Sequence, residues 1–448
     1  MLRERFSRWR GDILLRRVIR NSGHLFSSNA VSAALAFIQG ILAVRLLGVE
    51  SYGLVTVVIS FSSNINNLLS FRMSETVVKF YGDALHMGDK ERAAAVAKVT
   101  ALAEAVTSIL AYLVWVALTP LAAVYLGKDA QTASFFVFYG VVILANLMYE
   151  TSRGVLQTAR RFDLLGRITL IQSFITAGLI IATFVNEGGI FEVLAAYLAG
   201  KIFAGVTIIL LALRELNSAL GPGWWRSPFQ RVGNWREIGS FALNTNLNGT
   251  VNLIARDSAP SLIAFLRPEN VALLEAGYFR LALTLINLAT LPIEPFIWPT
   301  YAEITRTIAE RKWRETKTLL RRVSLIAAAW MALAGGGLAL LGWWLIPLLY
   351  KPSALPAYPA VLILLLGYGF ASIFTWNRPL LLALGKPGYP LMIAAVVGMI
   401  ELALAFVLVP RFGYLAQAAL LSSYFIVSIG LTTLRGLGEI RVQEAEAA

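Results

Sequence analysis

Apolar runs long enough to cross a bilayer recur from one end of this chain to the other. A hydrocarbon core is spanned by about 20 residues of helix. Runs of that kind fall at 25–47, 52–71, 96–118, 135–156, 168–185, 193–213, 238–255, 277–299, 323–349, 360–384, 391–409 and 416–434. In lipid every backbone polar group must be satisfied internally, and helices do this within each segment. The expected fold is therefore an all-α polytopic membrane protein of about 12 transmembrane helices. Composition agrees. Hydrophobic residues make up 57% and charged residues 15%, whereas soluble domains carry about 25% charge. Tight breaks punctuate the runs: Gly48-Val49-Glu50 after the first, Asn186-Glu187-Gly188-Gly189 after the fifth and Lys386-Pro387-Gly388 after the tenth.

Basic residues fix the orientation. Seven arginines, from Arg3 to Arg20, precede the first crossing. Further clusters follow crossings 2 (Arg72 to Lys98), 4 (Arg153 to Arg167), 6 (Arg214 to Arg236) and 8 (Arg306 to Arg322). Arg378 and Lys386 flank the connection after crossing 10, and Arg435 and Arg441 follow crossing 12. An even number of crossings with both termini on the basic, cytoplasmic side satisfies this alternation. The expected location is the bacterial inner membrane. A net charge of +13 could otherwise point to nucleic acid, but the charge alternates with the crossings instead of collecting on one surface. Leu2, Phe6, Trp9 and Ile13 lie at helical spacing among the first arginines, so residues 1–24 read as an amphipathic cytoplasmic segment suited to anionic lipids. The run 25–47 is too long for a cleaved signal peptide.

Several chemistries are excluded. With no cysteine there is no disulfide, thiolate metal site or cysteine nucleophile. His24 and His86 are the two histidines and are far apart. The Gly-Lys pairs starting at 127, 200 and 385 continue with Asp, Ile and Pro, so no P-loop is present. No cofactor or metal is expected. The connections leave little room for a catalytic domain, and the chain reads as a transporter, not an enzyme.

Two weak echoes suggest an internal duplication. Glu50-Ser51-Tyr52-Gly53 opens crossing 2 and Glu275-Ala276-Gly277-Tyr278 opens crossing 8; Thr119-Pro120-Leu121 ends crossing 3 and Ile346-Pro347-Leu348 ends crossing 9. The separations nearly agree. The implied organisation is a six-helix bundle over 25–213, a cytoplasmic linker over 214–237, a second bundle over 238–434 and a tail over 435–448. Both bundles enter from the cytoplasm, so the repeats are parallel.

Polar residues within the crossings point to an interior, because facing lipid would cost free energy. Ser60, Ser63, Asn64 and Asn67 share a face of crossing 2. Asn244, Asn248 and Asn252 step by four along crossing 7, with Asn246 nearby. Arg280, Asn287 and Glu294 step by seven along crossing 8, and Ser32 and Gln39 share a stripe of crossing 1. Such groups can also simply hold helices together. Arg45, Arg72 and Arg256 lie near helix ends, where snorkelling is the simpler reading. Lys201 and Arg378 sit deeper. Glu104 and Glu401 are isolated acids, each either an ion-coupling group or the buried partner of a base.

The run Leu42-Ala43-Val44-Arg45-Leu46-Leu47-Gly48-Val49-Glu50-Ser51-Tyr52-Gly53 resembles the first hairpin of polysaccharide export proteins, the Wzx-type flippases of the MOP exporter superfamily. Val77-Val78-Lys79-Phe80, Gly88-Asp89-Lys90-Glu91-Arg92-Ala93, Ala276-Gly277-Tyr278-Phe279-Arg280-Leu281-Ala282 and Pro347-Leu348-Leu349-Tyr350 are similar to the same family. The resemblance spans about residues 20 to 435. It implies two six-helix bundles around a central cavity lined mainly by crossings 1, 2, 7 and 8. It also implies alternating access that moves undecaprenyl-diphosphate-linked sugars to the outer leaflet. Peptidoglycan-precursor flippases of the superfamily typically have fourteen helices, against about twelve here.

The substrate-binding candidates are thus Arg280, Asn287, Arg256, Arg45, Arg72, Asn64, Asn67, Asn248 and Lys201, and the ion-coupling candidates are Glu294, Asp257 and Glu401. The expected partners are a lipid-linked oligosaccharide, anionic lipids and other polysaccharide-assembly proteins, with the chain itself a monomer. Two rival functions are a cation-coupled multidrug antiporter of the same superfamily and a membrane-bound polysaccharide polymerase or ligase. The antiporter calls for an acid on a cavity helix, whereas charges on crossings 1, 2, 7 and 8 are mainly basic, with Glu294 the exception. The enzyme calls for a large periplasmic loop.

Overall fold

The computed structural model describes residues 13–71, 73–253, 258–386 and 388–446, with side chains left out at 13–27, 29, 244, 247–249, 251–252, 295, 298, 302 and 446. Of the segment 1–24 read as amphipathic, residues 1–12 lie outside that description, and 13–24 are helical with their side chains left out. Among the described residues the chain is helical, with no strand. Its helices are α1 (Ile13–Leu69), α2 (Lys90–Tyr125), α3 (Ala133–Ala145), α4 (Tyr149–Thr158), α5 (Phe162–Val185), α6 (Ile190–Leu220), α7 (Trp235–Asn252) and α8 (Ala259–Leu266). The second half continues with α9 (Glu269–Thr290), α10 (Ile297–Ala309), α11 (Trp313–Leu349), α12 (Ala357–Ile373), α13 (Asn377–Ala383), α14 (Gly388–Phe412) and α15 (Tyr414–Glu446).

Ten of the described helical segments are long and apolar enough to cross a membrane. One of them, Ala30–Leu69, holds crossings 1 and 2 together. It is folded at Gly48, whose φ of 79° and ψ of 168° are not helical. A methyl group on Gly40 would lie 3.5 Å from Tyr52 Oη, whereas twelve residues of straight helix would rise about 18 Å. α1 is therefore a hairpin, and Gly48 supplies the positive φ that other residues rarely adopt. The asparagine-rich α7 corresponds to crossing 7, falls outside the apolar set because of its polarity, and brings the count to twelve.

Helices extend past the predicted runs at the basic ends: α2 begins at Lys90, α6 continues to Leu220 and α11 begins at Trp313. Hydropathy marks only the lipid-immersed part, and helices continue into water through residues such as Lys90, Glu91 and Arg214. Crossings 4 and 10 are each broken near the middle, at 146–148 and 374–376. These breaks are related by nearly the same separation as Pro120 in α2 and Pro347 in α11. The repeat is thus a property of the fold as well as of two short motifs.

The apolar surface faces two ways. Leu102, Val106, Leu113, Leu333, Leu340, Trp343 and Trp344 are exposed on α2 and α11, a lipid-facing belt. One core cluster joins both halves, from Ala43 and Val58 through Phe279 and Ile286 to Tyr350 and Leu421. Small residues bring the halves together. A methyl on Gly53 would sit 1.9 Å from the Leu273 carbonyl oxygen, and one on Gly277 2.4 Å from that of Val49. Backbones meet there without room for a side chain. The linker packs under the first half: Arg231 pairs with Glu91 at 3.0 Å, Ser227 Oγ donates to the Glu91 carbonyl, and Lys98 lies over the Phe229 ring.

Candidate functional site

Between the two halves lies a cavity of about 830 Å³. Its wall is built largely from the polar faces read in the sequence. Ser60, Ser63, Asn64 and Asn67 of α1 all line it, as do Gln39 and the α9 residues Arg280 and Asn287, followed by Glu294. Periodicity worked here because a helix facing water on one side must repeat its polar residues every three or four positions. Ser32 behaves differently, its hydroxyl being buried without a hydrogen bond.

The cavity has a blind end. It reaches up to Tyr52, which adjoins Gly53, and to Arg280, one turn below Gly277, where the close Gly53–Leu273 and Gly277–Val49 approaches lie. Arg45 helps to seal that end. Its guanidinium donates to the carbonyl oxygens of Leu348 and Leu349, the latter at 2.7 Å, and Lys351 Nζ donates back to the Arg45 carbonyl. The structure therefore places Arg45 in a latch between α1 and the end of α11, outside the cavity wall. Arg267 and Glu275 make a second tie at 2.6 Å, and Glu275 also accepts from the Tyr414 amide. From this sealed end the wall runs down α1 to Phe71 and down α9 to Glu294. Those are the ends that lead into the basic connections.

Two cations stand in the cavity. Arg280 and Lys201 are both exposed within it. Among the described residues neither side chain has a hydrogen-bond or ion-pair partner. Arg280 lies within electrostatic reach of Tyr197 and Tyr350, and Lys201 is one helical turn from Tyr197 on α6. Tyr52, Tyr139, Tyr197 and Tyr368 complete the upper wall. Sequence reasoning missed these tyrosines because an apolar-run count treats an aromatic ring as lipid-compatible. It named Lys201 of crossing 6 but missed the contribution of crossing 4, which supplies Asn146, Tyr149 and Glu150. The available signal was Asn146 beside a helix break.

Acids collect lower down. Glu294, Glu150 and Glu104 line the cavity, and Glu294 lies fourteen residues below Arg280, a drop of about 20 Å along the helix. Glu294 is the acid already set apart on crossing 8, whereas Glu104 and Glu150 come from crossings 3 and 4, outside the four helices expected to line the cavity. Glu104 is buried and, among the described residues, is not paired with a base. Its two carboxylate oxygens accept from the Glu150 and Thr151 amides at 2.8 and 2.7 Å. It caps the start of α4, where amide groups have no intrahelical partner.

The remaining candidates are dispersed. Glu401 is buried between α14 and α15 beside Gln417 and is not part of the cavity wall. Arg378 starts α13, outside the wall. Arg72, Arg256 and Asp257 lie outside the described residues, as does the Asn248 side chain.

The family pattern described as polysaccharide biosynthesis protein matches residues 18–304. The chain belongs to this family. A curated relative, the inner membrane protein YghQ of Escherichia coli strain K12, is 26% identical over 303 residues, covering 66% of this chain and 83% of that protein. Among solved structures, the lipid II flippase MurJ in an inward closed conformation aligns with a TM-score of 0.70 at 15% identity, over 94% of this chain and 90% of that one. An inward-facing multidrug resistance MATE transporter of the MOP superfamily aligns with a TM-score of 0.69 at 15% identity, over 93% and 96%. A MOP superfamily transporter from Pyrococcus furiosus aligns at 0.64 with 13% identity, over 95% of both chains. At these identities the likeness is one of fold: this family member has the architecture of MOP superfamily transporters.

Proposed function

We propose that this protein is a flippase of the bacterial inner membrane, both termini cytoplasmic, that carries an undecaprenyl-diphosphate-linked oligosaccharide from the cytoplasmic to the outer leaflet. The observation that carries this reading is the pair of cations, Arg280 and Lys201, unpartnered among the described residues, at the blind end of a cavity rich in amides and hydroxyls whose acids lie lower down. A diphosphate offers several acceptor oxygens and about two negative charges, and a guanidinium can engage phosphate oxygens with two parallel hydrogen bonds. Asn64, Asn67, Asn146 and Asn287 can each donate to and accept from sugar hydroxyls. The polyprenyl tail remains in lipid while the headgroup occupies the cavity. Sealing the end near Arg45 while the cavity runs toward the basic side suits loading from the cytoplasm, and alternating access then delivers the cargo outward.

The antiporter reading draws support from Glu150 and Glu294 at the lower wall, where a cation would meet carboxylates. The flippase reading is favoured because the acids lie near the mouth, whereas the deepest charged groups are basic.

Arg280→Ala should abolish export of lipid-linked oligosaccharide, scored as surface polysaccharide in a host lacking its own flippase, while membrane insertion persists. Arg280→Lys should restore only part of it, because an ammonium cannot reproduce the planar fork. Wild-type export by the alanine variant would refute the assignment.

A further inference from the structure

Outside the cavity, a second buried polar group has an incomplete set of partners. Glu401 on α14 and Gln417 on α15 are 6% and 3% exposed. Gln417 Nε2 donates to Glu401 Oε1 at 3.3 Å. The two remaining acceptors, Glu401 Oε2 and Gln417 Oε1, are buried without any hydrogen bond. A buried acceptor left unpaired is costly, and a buried unpaired charge costs more.

No ion pair compensates among the described residues. α14 is packed against α15, α7, α8 and α13. α8 has no titratable residue. On α7, Arg236 and Glu237 lie at the helix start, and Glu237 faces Lys79. Arg378 begins α13. On α15, Glu439 is held by Lys386 and Arg435, and Glu444 by Lys317; Arg441 is near the helix end. The phenol of Tyr414 donates to the Pro356 carbonyl, and Tyr424 lies a further ten residues along α15. Tyr389 and Arg411 occupy the two ends of α14 itself. None is ion-paired with Glu401.

One added proton completes the site. A carboxylic acid and a primary amide form a cyclic pair in which N–H donates to one carboxyl oxygen and the acid O–H donates to the amide oxygen. The first of these bonds is present, and both oxygens of the second are the unpartnered ones. We propose that Glu401 and Gln417 form a proton-binding site within the C-terminal half, with Glu401 a neutral acid in this conformation. The proton comes from water, forms an O–H bond on Oε2 and returns to water on release, with no redox partner. A sodium ion is the poorer occupant because the amide N–H already points at the carboxyl group. Release would leave a bare anion between α14 and α15, so the packing of these helices is tied to protonation.

Infrared difference spectra of the full-length protein in lipid vesicles test this at pH 7 in sodium-free buffer. Wild type should show a carboxylic-acid C=O band that is lost in Glu401→Gln. Gln417→Leu should keep the band but shift it, which serves as the readout if the glutamine variant does not fold. An unchanged acid region in both variants would overturn the proposal. Disappearance of the band on adding sodium at constant pH would also overturn it, by assigning the site to a metal cation. No cargo is involved, so the outcome is separable from the flippase reading.

Discussion

Single residues in this chain take their roles from partners that are remote in sequence. Glu104 illustrates this. An isolated acid in an apolar run invites a coupling role, yet it spans two amides at the start of α4. Glu104→Ala should lower stability by about 1–3 kcal/mol, because two buried amides lose their acceptor. Glu104→Gln should recover part, since it keeps one acceptor oxygen. Unfolding in detergent measures the loss, and transport per folded molecule should stay near wild type. A stable alanine variant that folds normally but cannot transport would return Glu104 to a coupling role. The sequence made Asn64, Asn67, Arg280 and Asn287 legible because the wall they form repeats with the helix. It could not reveal the Glu104 cap, nor the Arg45 latch to carbonyls some 300 residues away, because carbonyl groups have no side-chain signature.

At the scale of elements, the sealed end depends on backbones that touch. Gly53 and Gly277 stand at the echoes read as an internal repeat, and each occupies the position where a Cβ would strike the other half. The repeated glycine is therefore a packing requirement of the interface between α1 and α9. Gly277→Ala should bias the molecule away from this closed form. A strain of about 1–2 kcal/mol would change the ratio of conformations by about 5–30-fold. The natural chain has no cysteine, so Asn287→Cys supplies a single thiol in the cavity. An impermeant thiol reagent applied from outside should label it several-fold faster in the Gly277→Ala background. Equal labelling with and without the alanine would show that the Gly277–Val49 contact does not control access. Helix number and pairing were readable from apolar runs. The breaks in crossings 4 and 10 were not, because their residues remain apolar or aromatic enough to pass as continuous helix.

For the whole molecule the question is what drives the cycle. No nucleotide-binding motif occurs, so the proposed transport draws on a gradient or on the membrane potential. Each charge moved across 100 mV is worth about 2.3 kcal/mol. A diphosphate with two negative charges, carried outward from an inside-negative interior at 100 mV, would release about 4.6 kcal/mol. A proton carried inward on Glu401 would move charge in the same electrical direction and add about 2.3 kcal/mol. Arg280 and Lys201 return with the protein and cancel over a full cycle, so they shape loading and release and leave the net charge unchanged. An imposed potential, with no pH or sodium gradient, should therefore move lipid-linked sugar across vesicles containing the protein. Glu401→Gln should still transport but with a shallower dependence on voltage, because one fewer charge moves per cargo. If transport instead requires an ion gradient and fails in Glu294→Gln, the potential-driven account is wrong and the carboxylate at the cavity mouth becomes the coupling site.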